Sequence, residues 1–389
     1  MTEGTVAAPV ARRGPGPVVV TGAGVLSAYG RGTEALLSGV LSGRPAFGPV
    51  DRFDASNRRV RVAAVMPGSP DLLTEVARAT REACDDAGLT AAERARSPLF
   101  LAIHGDPELA RAPEPGQPGL GPDALTAEVA NRGGLATHGL RCYMSACVAA
   151  STAIADAAAS IARGQADRVV VAGGYLVDSD QFALFDAGRV LAADGQVRPF
   201  SANRRGLLLG DGVGAVVVES AQSARARRAP VLARLAGWGR AGDAYHPVQP
   251  HPEGRGMARA ITAALQRAGL GPDGLGYVNA HGSGTAHSDP AETSALRLAL
   301  GEAAGTVPVS STKSLHGQVL EASGVLELIV TMLSAGQGIL PVNAGFLGLD
   351  DECRLNLVLG EPLAATPEYA MSLNAAFGGA NTALVVGLP

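Results

Sequence analysis

Ser145-Ala-Cys147 stands immediately before an Ala-rich run, 148–163, of helical period, which sets Cys147 at or near a helix N-terminus. Unpaired backbone N–H groups and the helix dipole at such a place favour the thiolate, the form of cysteine that attacks a carbonyl, and the same N–H groups can hold an oxyanion. Cysteine is also among the most buried residue types, where it packs as a small, inert hydrophobe. That plainer reading is kept for Cys84, Cys142 and Cys353.

Three further elements carry groups that would serve such a nucleophile. In Tyr277-Val-Asn-Ala-His281-Gly-Ser-Gly-Thr285, His281 lies just past a strand-like run, in a turn of small residues that lets another molecule's backbone come close. An imidazole there can give or take a proton near neutral pH, although a structural hydrogen bonder would read the same way. His104, His138, His246, His251 and His287 are read as surface or loop residues.

The next element is Ser310-Ser-Thr-Lys313-Ser-Leu-His316-Gly-Gln318, followed by a helical run that carries Glu327. Lys313 is the only lysine among 32 basic residues. A chain that otherwise uses arginine keeps lysine here, which points to a site needing a compact, pKa-tunable ammonium; a chance leftover is the alternative. The last element, Asn374-Ala-Ala-Phe377-Gly-Gly-Ala-Asn381, precedes the final strand, and its paired glycines permit a tight turn beside a pocket or around a core phenylalanine.

Short β-branched runs at Val169–Val171 and Val216–Val218 alternate with helical segments at 71–87, 148–163, 256–268 and 319–334, a pattern that predicts an α/β fold. The first strand is expected at Pro17–Thr21, ending in the turn Gly22-Ala-Gly24. Two stretches echo each other: the helix after Cys147 ends Ile161-Ala-Arg-Gly-Gln165, and the helix after Gly317 ends Leu333-Ser-Ala-Gly-Gln337. The echo fits a duplicated unit with a hinge near Arg225–Pro230. So does the length of 389 residues, since single cores stop growing at roughly 250 to 300. Residues 105–122, rich in proline and glycine, read as a loop or flap.

Apolar residues at 47% and charged residues at 17% belong to a folded globular chain. The net charge of −4 lacks the basic footprint of a nucleic-acid binder. The four cysteines show neither metal-ligand nor paired spacing, which suits a reducing compartment. The N-terminus lacks the order of a signal peptide and no apolar run approaches the roughly 20 residues that span a bilayer, so a cytoplasmic, membrane-free protein is expected.

Taken in order, these elements resemble the elongating β-ketoacyl-acyl-carrier-protein synthases and the related ketosynthase subunits of polyketide assembly. Further pieces agree: Val18-Val-Val-Thr-Gly-Ala-Gly-Val25, Arg52-Phe-Asp54, Gly164-Gln-Ala-Asp167 with Gly173-Gly174, and Arg198-Pro-Phe200 leading to Gly210-Asp-Gly212, so the likeness runs from about 17 to 388. The resemblance implies a thiolase-like α/β fold of two similar halves, with mixed sheets sandwiching helices. The organisation expected is a flexible tail, 1–16, then a half at 17–228 bearing Cys147 and a half at 229–389 bearing His281, Lys313 and Gln318.

By the same resemblance the nucleophile falls on Cys147, the first catalytic histidine on His281, the lysine on Lys313 and the glutamate on Glu327. Ser283 and Thr285 fall where family hydroxyls bind phosphopantetheine, and Phe377 where a gating phenylalanine and the second oxyanion N–H lie, beside that of Cys147. No cofactor or metal is implied beyond the phosphopantetheine of an acyl carrier protein. The partners implied are that carrier and a second subunit, in a homodimer or in a heterodimer with another ketosynthase-like chain.

The chain departs from the family pattern at Gln318, where the second catalytic histidine is usual, and at His316, where threonine is usual. Glutamine donates a hydrogen bond but takes no proton. A Cys-His-amide set is similar to that of the related initiating synthases. The segment between Phe100 and Cys142, which in the family builds dimer contacts and the floor of the acyl tunnel, is also short. Three functions are therefore carried forward. One is condensation of an acyl-Cys147 thioester with a malonyl-type extender, in fatty-acid-like or polyketide biosynthesis. The second is acyl transfer from Cys147 without decarboxylation, and the third is a partner subunit resembling a chain-length factor.

Overall fold

The computed structural model of the chain describes residues 16–104 and 121–389. The tail expected at 1–16 lies outside the described residues except for Gly16, and so does the loop expected at 105–122 except for its last two residues.

Ten strands form the framework: β1 (Val18–Ser27), β2 (Leu99–Ala102), β3 (Arg141–Tyr143), β4 (Arg168–Tyr175), β5 (Gly212–Ser220), β6 (Ala233–Gly242), β7 (Tyr277–Asn279), β8 (Val309–Ser310), β9 (Tyr369–Ala376) and β10 (Ala380–Gly387). They lie side by side in the order β8-β7-β9-β10-β6-β1-β5-β4-β2-β3, with Gly30–Arg31 as a short additional strand beside β1. The order of the first five strands, 3-2-4-5-1, is repeated by the last five. The directions repeat too: second and third, and second and fourth, pair parallel, while fourth and fifth, and fifth and first, pair antiparallel. The two halves share one large mixed sheet, because β1 and β6 pair antiparallel through Val18–Val20.

Alternation along the strands sorts their side chains between layers. Val169 and Val171 of β4 and Leu384 and Val386 of β10 point into a shared central core with helices α2 (Ala149–Ala162) and α5 (Ser323–Gly336). Their neighbours Val170 and Ala172 face α1 (Leu72–Asp86) in one outer core. Ala383 and Val385 face α3 (Arg255–Ala268) and α4 (Ser288–Leu300) in the other. This is the period-two rule at work in sheets covered on both faces.

The turn expected at Gly22-Ala-Gly24 is not a turn; β1 runs through it to Ser27. A Cβ on Gly22 or Gly24 would collide with the carbonyl oxygens of Ala83 and Ala79 in α1. Gly237 and Gly239 of β6 stand in the same relation to Ala264 and Ala260 of α3. In both halves the paired glycines let a helix lie against the first strand, and their purpose is contact, not chain reversal.

The sequence echo is present in a shifted register. A one-turn helix, Ala146–Val148, leads into α2, and another, Leu320–Ala322, leads into α5. Past the helix ends, Gly164 and Gly338 take φ of 70° and 71°. Gly164 therefore answers Gly338, two residues away from the match that set Gln165 against Gln337.

Candidate active site

Cys147 is the middle residue of the one-turn helix before α2, and Ala146 ahead of it has φ 48°, a value that costs an L-residue energy unless its surroundings impose it. The bend places Cys147 at the floor of a cleft that also exposes His281, Ser283, Thr285, Gln318 and Phe377. Six of the eight residues singled out from the sequence thus share one cavity. Gln318 reaches the sulfur directly, with Nε2 donating to Cys147 Sγ at 3.4 Å.

Gln318 is held at both ends. Its N–H donates to Leu208 O at 2.7 Å and its carbonyl accepts from Gly210 at 2.9 Å, while its side-chain Oε1 accepts from Ser323 Oγ at 2.6 Å. His281 follows β7 and is buried, with an Nδ1 that has no partner. Its backbone N–H and that of Gly282 each donate to the Glu292 carboxylate of α4 at 2.7 Å, which ties the small-residue turn down. Ser283 Oγ and Thr285 Oγ1 lie 3.0 Å apart on the wall leading to Cys147.

Lys313 and Glu327 do not line the cleft. They form an ion pair, Nζ to Oε1 at 2.6 Å, with side chains 1% and 0% exposed, and the second Glu327 oxygen accepts from Asn374 Nδ2 at 2.7 Å. The single lysine is therefore neither a surface charge nor a group in the cleft; it places a positive charge behind the cleft wall. His316 is equally buried, bound through Nε2 to Thr312 Oγ1 at 3.0 Å and through Nδ1 to Gly317 O at 2.8 Å. Burial holds it down to about 3, so it is a neutral structural imidazole. Gly378 and Gly379, at φ 84° and 73°, form the turn that presents Phe377, whose ring lies 6.0 Å from that of Phe185.

The electrostatics correct one expectation. A helix start was expected to favour the Cys147 thiolate; instead burial pushes the thiol up to about 12, the Glu321 carboxylate pushes the same way, and Lys313 only partly opposes them. The dipole of a first helical turn contributes about 1 kcal/mol, too little to offset the desolvation of a fully buried sulfur. Burial, reinforced by Lys313, holds His281 well below the ordinary imidazole range. Both shifts favour the uncharged forms, a thiol and an imidazole lining one cleft. Burial also raises the Glu327 carboxyl, against the pull of Lys313, and lifts Glu292 to about 8.

Several residues of the site escaped the sequence. Glu292 and Ser323 hold others by hydrogen bonds, and nothing in their spacing marks them out. Glu321 is 2% exposed and reaches back to the first half, where Oε1 meets His104 Nδ1 at 3.1 Å. A histidine read as a loop residue is thereby the partner of a buried acid, although its own side chain is 58% exposed. Among the described residues no cluster of side chains suits a metal ion, and no helix is long and apolar enough to cross a membrane.

The sequence model described as "Beta-ketoacyl synthase, N-terminal domain" matches residues 71–224, and that described as "Beta-ketoacyl synthase, C-terminal domain" matches 232–347. A 3-oxoacyl-[acyl-carrier-protein] synthase 2 of Synechocystis sp. is 31% identical over 402 residues, covering 94% of this chain and 97% of that protein. Its namesake in Staphylococcus aureus is 32% identical over 404 residues, covering 95% and 97%. Among solved structures, the ishigamide ketosynthase/chain length factor is similar with a TM-score of 0.87 at 28% identity, and a β-ketoacyl synthase from Burkholderia phymatum with 0.87 at 29%. Both matches cover 96% of this chain and 100% of the other.

Proposed function

This chain belongs to the β-ketoacyl synthase family, and we propose that it is a condensing enzyme whose acyl carrier within the protein is Cys147. The observation that carries the assignment is the contact of Gln318 Nε2 with Cys147 Sγ in a cleft shared with His281. The acyl group arrives on the phosphopantetheine of an acyl carrier protein, whose arm lies along Ser283 and Thr285. Nothing else is needed as cofactor.

The residues divide the work as follows. A neutral thiol must lose its proton as it attacks, and neutral His281 takes it. The thioester carbonyl becomes an oxyanion held by the N–H groups of Cys147 and Phe377, and the carrier thiol leaves with the proton that His281 returns. A malonyl-carrier then replaces the emptied one. As carbon dioxide departs, His281 and Gln318 donate to the extender's thioester oxygen, where the electron pair collects. The carbanion attacks acyl-Cys147, the sulfur leaves as a thiolate and takes one proton from water, and β-ketoacyl-carrier is the product. Lys313, held by Glu327, keeps His281 in its neutral form as a donor and eases the charge on sulfur.

Gln318 itself favours a second reading. An amide in the place of an imidazole serves an acyltransferase that never decarboxylates as well as it serves a condensing enzyme. The protein acts in the cytoplasm as a dimer, either with itself or with a second ketosynthase-like chain, and its halves divide at 228/229.

Intact-protein mass spectrometry after mixing with acyl-carrier proteins of several chain lengths, together with carbon dioxide release from malonyl-carrier protein, tests this. Condensation gives acylation of the wild type and none of Cys147→Ala, with release matching ketoacyl product. Acylation without release supports plain acyl transfer. Activity that appears only when a second synthase subunit is added supports a chain-length-factor-like role.

A further inference from the structure

Ser323 is the first residue of α5, one past its N-cap Ala322, whose methyl group caps nothing, so the Ser323 hydroxyl is not taken up by a helix cap. Its wholly buried hydroxyl donates to Gln318 Oε1. The two residues meet across the one-turn helix Leu320–Ala322, which opens at Leu320 with φ 39° and brings the helix start back over Gln318.

A carboxamide is ambiguous by shape. Half a turn about its last bond exchanges N–H for C=O with no change of volume, and at a sulfur the two outcomes are opposite. An N–H stabilises a thiolate or an oxyanion; a carbonyl oxygen repels either. With the backbone of Gln318 fixed by Leu208 and Gly210 and its side chain buried, the amide rotation is the freedom that needs no extra space. Ser323 donating to Oε1 goes with the orientation in which Nε2 faces the sulfur.

We propose that Ser323 is a positioning residue for the condensation, holding the Gln318 carboxamide with its N–H toward Cys147 Sγ and so making position 318 a permanent donor. The proposal rests on the reading of Gln318 as the donor at the reacting centre. It also accounts for how an amide can stand in an imidazole's place, because unlike a histidine it needs a second residue to decide which face it shows.

The test uses the full-length protein and four variants: Ser323→Ala, Ser323→Thr, Gln318→Ala and the double Gln318→Ala/Ser323→Ala. Two rates are followed, alkylation of Cys147 by iodoacetamide at pH 8 and ketoacyl formation from preformed acyl-Cys147 with saturating malonyl-carrier. Ser323→Ala is expected to lower both by about tenfold, the effect of one misdirected hydrogen bond to a charged group. Ser323→Thr restores them, and the double variant is no slower than Gln318→Ala, because a residue that acts only through another adds nothing once that other is gone. Should Ser323→Ala fail to fold, Ser323→Cys, a poor donor of similar size, reads the same loss. An undiminished Ser323→Ala effect in the Gln318→Ala background, or none in the wild-type background while Gln318→Ala is slow, overturns the proposal alone. Gln318→Ala with unchanged rates overturns the reading of Gln318, and Ser323 falls with it.

Discussion

Ala146-Cys147-Val148 and Leu320-Glu321-Ala322 occupy equivalent places in the two halves. Each is a one-turn helix that opens on an L-residue of positive φ, 48° at Ala146 and 39° at Leu320, and leads into the central helix of its half. The two turns pack against each other, and each packs on the fourth strand of the opposite half, Ala146–Val148 on β9 and Leu320–Ala322 on β4. The middle residue carries a thiol in one and a carboxylate in the other. A strained backbone ahead of Cys147 would by itself suggest a catalytic device, but the same strain ahead of Glu321 shows that it comes with the architecture. What separates the two positions is the set of side chains that the opposite half supplies. To Cys147 the second half brings His281, Gln318 and the charge of Lys313; to Glu321 the first half brings His104.

Substituting the two middle residues breaks the comparison most directly. Cys147→Ala is expected to abolish acylation and to lower condensation on the order of 10⁴-fold or more, as loss of a covalent nucleophile does. Glu321→Gln leaves turnover within about tenfold, the scale of a single neighbouring charge. Product formation and the mass of the intact protein measure both. Equal losses would mean that the two turns form one catalytic unit.

The groups that reach Cys147 from the second half come next. Gln318→Ala is expected to slow acylation by only about tenfold, through the lost hydrogen bond to sulfur, and to slow the following step by about 10² to 10³-fold, the cost of one oxyanion-type donor. Single-turnover measurement of the two steps separates them. Lys313→Arg keeps the charge, but its larger planar head must take the place of an ammonium buried at 2.6 Å from Glu327. A displacement of about 1 Å in such a site costs about 10²-fold, and turnover should fall by that much. Near-normal turnover would return Lys313 to an accident of composition.

Much of this was legible in the sequence, for reasons that differ from residue to residue. Cys147, His281 and Phe377 stand in runs of small residues beside predicted element ends, and Lys313 stood out because the chain has no other lysine. The α/β class followed from two clear periodicities. The state of the Cys147 thiol did not follow, because desolvation is a property of what surrounds a sulfur in three dimensions, and the helix start was only its smallest part. The glycines of β1 were misread as a turn, since a glycine needed for close approach to a helix looks the same in sequence as one needed for reversal. Ser323 and Glu321 stayed silent for a similar reason. Their partners, Gln318 and His104, are five and 217 residues away, and only the fold brings the distant pair together.

The smallest expected effect bears on why the two equivalent positions differ in charge. Cys147 reacts through its thiolate, so below its pKa the alkylation rate rises about tenfold for each pH unit. Burial sets that pKa up to about 12, and the Glu321 carboxylate adds to the rise, since a negative charge nearby disfavours a second one. Removing that charge lowers the pKa. Glu321→Gln should therefore speed alkylation of Cys147 at a fixed pH of 8, by up to about tenfold, and move the whole pH profile toward lower pH without changing its slope. His104 complicates the result, because Glu321 also raises its imidazole and the substitution weakens that positive charge. The same comparison in a His104→Gln background removes the complication, and there the acceleration should be at least as large. If alkylation is unchanged in both backgrounds, the carboxylate does not act on the sulfur, and Glu321 is only the scaffold's counterpart of Cys147. If it is faster, Glu321 keeps the resting thiol protonated until an acyl-carrier thioester and His281 are both in place.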